Sequence, residues 1–331
     1  MTYQKEMELS KDWAKTLHCS TVQELNDIIE HGDIGELIRI SEALHEKKVA
    51  YIADQIAQDI ARKKVILIAG PSSSGKTSFA QRLRVQLRVL GLDPISVSVD
   101  DYFVNKEVNP RKPNGDYDFE CIEALDLKLF NEQLVQLLKG QEVAIPKYNF
   151  KTGHREEKPS AVVQLKANQL LIYEGIHCLN NRLTEKIPRE NKFMIYVSAL
   201  TPLQLAENVK LSTTKARLFR RMVRDYRTRG TSASQTIQRW PDVVAGEKVN
   251  IYPYQDGADA MFNSTLLYEL GVLKKYAMYI LAEIEPWDPS YGKAQELLSF
   301  CRYIKNIQDE KDVPATSILR EIIGGSCFDV G

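Results

Sequence analysis

Gly70, Gly75, Lys76 and Thr77 are the residues whose types and spacing most directly imply chemistry. They lie in GPSSSGKTS, residues 70–78, which fits the pattern G-x-x-x-x-G-K-[ST]. In such a loop the glycines let the backbone wrap closely round phosphates. The N–H groups from Ser72, Ser73 and Ser74 onward to Ser78 then point inward as an anion nest. Lys76 reaches the β- and γ-phosphates of a nucleoside triphosphate, and the Thr77 hydroxyl ligates Mg²⁺. A Gly/Ser turn between a strand and a helix is the plainer alternative. The flanks favour the nucleotide: residues 65–69 form an apolar strand pattern, and a helix-forming run follows over 77–90. The positive end of that helix adds to the anion site.

Further acids fall at strand ends. After a turn at 91–94, residues 95–99 alternate as a second strand that runs into Asp100-Asp101-Tyr102-Phe103. Ligands of open α/β sheets collect at the carboxyl ends of strands. Asp100 is therefore placed to accept the proton of an attacking hydroxyl, with Asp101 the lesser candidate; a turn or N-cap acid is the alternative. LLIYEG, residues 170–175, is a third buried strand pattern ending in Glu174. That carboxylate either orients Mg²⁺ or caps the next helix. Residues 193–197 and 259–262 supply two more strands.

Between these strands, residues 104–126 are rich in Pro, Asn, Gly and charge, which predicts a loop over the site, and a short helix follows to Gly140. Two alternating segments flanking Thr152-Gly153-His154 predict a β-hairpin with Tyr148 and Phe150 on one face. Such a pair stacks on a planar substrate or belongs to the core, and His154 contacts substrate or is simply solvated. TTKARLFRRMVRDYRTR, residues 213–229, carries Arg217, Arg221 and Arg224 on one helix face, with Leu218, Met222, Phe219, Val223 and Tyr226 for packing. The stripe is a solvated face, an RNA surface or a lid. Phosphoryl transfer needs added positive charge in its transition state, so we read residues 213–245 as a lid that closes on the triphosphate.

Outside this core the pattern is helical. Residues 1–62 read as a helical leader, with start signals at Ser20-Thr21 and Gln23-Glu24 and a stop at His31-Gly32. His18, His31 and His45 show no ligand spacing and read as surface residues. Residues 266–331 read as a helical tail. Lys plus Arg and Asp plus Glu number 44 each, so no global field selects nucleic acid or an anionic membrane. Five scattered cysteines suit reduced thiols in the cytoplasm, and no apolar run approaches the ~18 residues of a membrane span. A homo-oligomer stays open.

GPSSSGKTS, VSVDDYF, IPKYNF…HR, LIYEGI, RLFRRMVRD…RG and, more weakly, DGADAMFN together resemble the uridine kinase and phosphoribulokinase family, over about residues 63–265. ISEALHEKK and ILREIIGGS look like its bacterial uridine-kinase-like branch, whose members often carry a threonyl-tRNA-synthetase-like N-terminal module that is not found here. The resemblance implies a P-loop NTPase fold: an α/β architecture with a five-stranded parallel sheet flanked by helices, the arginine-rich lid and the hairpin over the acceptor. It implies ATP with Mg²⁺ as donor and a small hydroxylated acceptor. It assigns Asp100 as base, Lys76, Arg221 and Arg224 to the transferred phosphate, and Thr77 and Glu174 to the metal. Tyr102, Tyr148, Phe150, His154 and Arg221 would line the acceptor site. The acceptor-reading positions depart from the family pattern. The loop Asp is best matched by Glu123, the hairpin His aligns with Gly153, and Thr231 and Arg239 replace an Arg and a Gln.

Three functions are then open. One is a nucleoside kinase acting on a ribose 5′-hydroxyl. Another is a kinase of a different polyol or sugar phosphate, with Arg239 and Lys151 suited to an extra anionic group. The third is a non-catalytic nucleotide-binding regulator or an RNA-binding module. The zero net charge and the absence of an RNA-binding motif argue against the last. A signalling GTPase is disfavoured because Asn105-Lys106-Glu107-Val108 breaks the N-K-x-D pattern.

Overall fold

In the computed structural model, which describes residues 3–113, 115–206 and 209–330, the chain begins with three helices. These are α1 (Tyr3–Thr16), α2 (Val22–His31) and α3 (Ile34–Gln58). The predicted start of α2 is a capping box: the Thr21 side chain accepts from the Glu24 N–H while Glu24 accepts from the Thr21 N–H. The nucleotide fold opens with β1 (Val65–Ala69), the phosphate loop and α4 (Lys76–Val89). Then come β2 (Asp93–Ser98), α5 (Leu127–Leu138), β3 (Glu142–Ile145), β4 (Tyr148–Asn149), β5 (His154–Arg155) and β6 (Ala161–Gln164). β7 (Gln169–Glu174), β8 (Lys192–Ser198) and the short β9 (Gln204–Ala206) and β10 (Val209–Lys210) follow. The chain continues through α6 (Thr213–Arg229), α7 (Ala233–Asn250), β11 (Ala260–Asn263), α8 (Glu269–Ala282), α9 (Tyr291–Arg302) and α10 (Ile318–Ile323).

The expected five-stranded sheet is present, in the order β11-β8-β1-β7-β2, and every pairing is parallel. Its central strands β1 and β8 are buried along their whole length, as a sheet covered on both faces demands. One face packs on α3 and α4 through residues such as Val49, Ile56, Phe79 and Leu83. The other packs on α5 and the hairpin through Phe130, Leu134, Ile145 and Tyr148. The hairpin has two tiers, β3 with β6 and β4 with β5, so the Thr152-Gly153 tip stands out beyond a longer ribbon.

Leader, arginine helix and tail do not form separate bodies. Ala14 and Leu25 of the leader, Leu218 and Met222 of α6, and Leu270, Leu297 and Ile322 of the tail share one hydrophobic cluster. His45 corrects the surface reading: it is 2% exposed, because α3 turns that side chain inward against Phe262. Among the described residues no helix is long and apolar enough to cross a membrane, and the five cysteines are unpaired.

Candidate active site

Register brings the candidate residues to one end of the sheet. Glu174 pairs with Ile68 of β1 on one side and Ser98 of β2 on the other. The phosphate loop starts two residues past Ile68, and Asp100 lies two residues past Ser98. Gly70 is required at the first loop position: a Cβ there would fall 1.9 Å from the Val197 carbonyl oxygen. Ser73 and Gly75 adopt left-handed backbone, φ 57° and 81°, a conformation of the kind found in anion nests. The Ser73 and Ser74 hydroxyls are buried with no hydrogen-bond partner. Lys76 Nζ donates to the Gly70 and Pro71 carbonyls at 3.0 and 3.3 Å, folded over the nest.

Thr77 Oγ1 donates to Glu174 Oε1 at 3.3 Å, so the two expected metal-linked groups do meet. Burial pushes the Glu174 carboxyl up to about 7, against the pull of Lys76 and with the help of the Asp100 and Glu321 charges. Loss of water round its carboxyl raises Asp100 above the usual carboxylate range, while the Lys76 and Arg229 charges draw it back. A carboxylate so placed keeps the basicity that proton acceptance needs. Asp101 turns away and accepts the Tyr148 N–H at 3.3 Å, so it fixes the hairpin to the strand end.

The arginines divide. Arg217, grouped with the lid stripe in the sequence, is fully buried; it forms a two-pronged pair with Glu247 at 2.6 and 2.7 Å and donates to the Ser72 carbonyl at 3.1 Å. Glu247 in turn accepts the Ser72 N–H at 3.0 Å. Arg220 is likewise buried on Glu269. Arg221 reaches the loop, donating to Ser72 Oγ at 2.6 Å, while Asp225 holds both Arg221 and Arg224.

On the acceptor side two expectations need correcting. Tyr102 is buried, its ring edge-on to Phe130 and its hydroxyl donating to Gln133 at 2.8 Å, because the turn after β2 aims it into the core. Glu123 faces outward and pairs with Arg182 at 2.6 Å. The acid that does face the site is Glu120, which feels the charges of Arg221 and Lys112 and lies against Gly246 of α7. His154 of the hairpin pairs with Glu107, in the segment after β2, at 2.9 Å. Tyr148 and Phe150 form an aromatic group with Phe103, ring centroids 5.0–5.6 Å apart; Phe150 is exposed and the Tyr148 hydroxyl has no partner.

Three supporting residues were given no role by the sequence: Glu247, which lay in no motif, and Arg155 and Glu321, which lay inside the matched segments HR and ILREIIGGS. Arg155 grips the Tyr102 and Phe103 carbonyls and Asp126, locking the turn that presents Asp100. Glu321 of α10 accepts from the Ser78 hydroxyl at 2.6 Å and from its N–H at 3.3 Å. Ile318 packs over Gly75, where a Cβ would meet it at 2.5 Å. Each acts across a long sequence separation, and ILREIIGGS marked the last segment only as a resemblance.

Sheet order, phosphate loop and strand-end acids define a P-loop α/β protein. The chain belongs to the phosphoribulokinase/uridine kinase family, whose description it matches over residues 65–267. It is similar to a uridine kinase of Schizosaccharomyces pombe, 36% identical over 119 residues, covering 35% of this chain and 25% of that protein. A uridine kinase of Saccharomyces cerevisiae is 28% identical over 203 residues, 60% of this chain and 36% of that one. A uridine kinase of Mycoplasma genitalium is 26% identical over 181 residues, 55% of this chain and 75% of that one. The chain thus spans well under half the length of the two yeast relatives.

Proposed function

We propose that this chain is an ATP-dependent kinase that phosphorylates a hydroxyl of a small molecule, with a nucleoside 5′-hydroxyl as the leading acceptor. The observation that carries the reading is the meeting of Lys76, Thr77, Glu174 and Asp100 at the carboxyl ends of β1, β7 and β2.

The residues present fit ATP with Mg²⁺. The left-handed Ser73 and Gly75 and the unpartnered Ser73 and Ser74 hydroxyls suit a polyphosphate. Thr77 and Glu174 give a hard-oxygen pair, and Mg²⁺ takes few protein ligands. When bound, the metal neutralises charge on the β- and γ-phosphates. Lys76, released from the Gly70 and Pro71 carbonyls, supplies positive charge to the transferred group, and Arg221 and Arg224 add more from α6. Asp100 takes the proton of the acceptor hydroxyl. The aromatic group of Phe103, Tyr148 and Phe150 offers a face for a planar base, and Glu120 accepts from sugar hydroxyls.

An acid at the acceptor side favours a neutral, hydroxyl-rich molecule over a sugar phosphate. The test is ADP release from ATP-Mg²⁺ with uridine, cytidine, pentose phosphates and polyols, with Asp100→Asn as control. Turnover with a nucleoside, lost in Asp100→Asn while ATP still binds, supports the reading. Turnover with a polyol or sugar phosphate alone replaces the acceptor, and no turnover with any of them overturns it.

A further inference from the structure

We propose that Gly246 of α7 is a positioning residue of the acceptor site: it leaves the space in which Glu120 stands, and its neighbour Glu247 ties that space to the phosphate loop. The inference deepens the proposed function and rests on the reading of Glu120 as the acid that meets the acceptor.

Gly246 lies inside α7, and its φ is not left-handed. Glycine weakens a helix interior relative to alanine, and the backbone conformation does not call for it here. Space does. A Cβ on Gly246 would fall 3.0 Å from Glu120 Cβ, 3.2 Å from its Cγ and 3.5 Å from Oε2. Carbon atoms pack at ~3.5–4.0 Å, so with an alanine there either Glu120 or α7 must give way. Asp242, one turn earlier on the helix, takes Lys112 at 3.0 Å, so the segment that carries Glu120 meets α7 at two points.

The bonds of Glu247 decide which partner yields. Its Oε1 accepts from Arg217 Nη1 at 2.6 Å and from the Ser72 N–H at 3.0 Å. Its Oε2 accepts from Arg217 Nη2 at 2.7 Å and from the Tyr252 hydroxyl at 3.1 Å. Those donors fill the roughly four lone-pair positions of a carboxylate, which fixes Glu247 on the phosphate loop. Neighbouring Cα atoms are ~3.8 Å apart, so Gly246 is fixed with it. Glu120 is only half-buried and stands on an irregular segment, so it is the partner that moves.

The same residues join the two halves of the reaction. Ser72 is held at its carbonyl by Arg217, at its N–H by Glu247 and at its hydroxyl by Arg221. Glu120 feels the charges of both Arg221 and Glu247. The pair Gly246-Glu247 therefore sets the acceptor acid and the donor's loop on one stretch of backbone, and in-line transfer needs both held in one geometry.

The experiment compares the full chain with Gly246→Ala, Glu120→Gln and the double variant. Steady-state kinetics vary ATP-Mg²⁺ and, in turn, uridine, cytidine, pentose phosphates and polyols. Calorimetry reads ATP affinity and Tm, and crystal structures show where Glu120 stands. We expect Gly246→Ala to keep its Tm or raise it, to hold ATP affinity within about twofold, and to raise the acceptor KM about threefold or more. In its crystals Glu120 is displaced from α7 while Glu247 still meets Ser72. In the Glu120→Gln background the same substitution adds little to the acceptor KM, because it acts through that carboxylate. An unmoved Glu120, an unchanged acceptor KM, a lowered ATP affinity, or an equal rise in KM with and without the Glu120 carboxylate would each overturn the inference and leave the proposed function standing. If Glu120→Gln itself leaves the acceptor KM unchanged, the reading of Glu120 fails and this inference fails with it. No turnover with any acceptor overturns both.

Discussion

Glu120 and Glu123 stand three residues apart and face opposite ways, one toward Arg221 and the other toward Arg182 on the surface. Glu120→Gln should raise the acceptor KM about tenfold or more while leaving the KM for ATP unchanged, because a site built around a hydrogen bond rejects a partner that cannot complete it. Glu123→Gln should match the unaltered chain in both. Steady-state kinetics with each substrate varied in turn decides this. Gly70→Ala should fail more broadly: its Cβ would overlap the Val197 carbonyl at 1.9 Å, so β1 and β8 must part. Loss of nucleotide binding together with a lowered Tm is the expected result, read by calorimetry with and without ATP. The phosphate loop was legible in the sequence because its chemistry is local, with every residue contributing through its own backbone. Glu120 was not, because which acid of a loop turns inward depends on α7, more than a hundred residues later.

At the scale of elements, α6 holds the phosphate loop as well as facing it. Arg217 and Glu247, each about 1% exposed, bracket Ser72 from both its carbonyl and its N–H. Removing one partner leaves a buried charge unmatched, so Arg217→Met should cost roughly 3–5 kcal/mol, whereas replacing both by apolar residues should cost much less. Denaturant unfolding of the single and double variants measures the difference. The helix itself and its arginines were visible in sequence as a stripe at i, i+4 and i+7. Periodicity cannot say which arginine of a stripe meets a buried carboxylate, and the stripe is therefore split here between Arg217, which builds, and Arg221, which reaches Ser72.

At the scale of the whole molecule, acid stability follows from two buried histidines. Burial lowers His177 to about 4 from 6.5, and holds His45 well below its ordinary value. The unfolded chain then takes up protons before the folded one does. The His177 share of stability is complete above pH about 6.5 and falls as pH drops toward 4, by about 3 kcal/mol. The raised Glu174 carboxyl opposes it, favouring the fold more as pH drops from 7 toward 4.5. His177→Phe should flatten that fall, measured as Tm against pH. The five-stranded parallel sheet followed only from the resemblance, and its order was not read. The strands and the strand-end acids were legible, since apolar patterns and motifs mark them. The shared cluster of leader, α6 and tail was not, because helical periodicity gives a buried face without naming its partner. Deleting residues 317–331 should accordingly lower both Tm and ATP affinity, by calorimetry and nucleotide titration, although that segment lies beyond the family match.

The support that Ile318 and Glu321 give to Gly75 and Ser78 also bears on how the chain is made. The Ser78 hydroxyl and the carboxylate it donates to are 243 residues apart. At roughly 5–20 residues per second, translation leaves the phosphate loop without that support for tens of seconds. Throughout that interval a ribosome-bound chain carries the motif in full and the finished site not at all. The loop is thereby completed only after α10 has been made, and a chain released before then would be left without the part that completes its own loop.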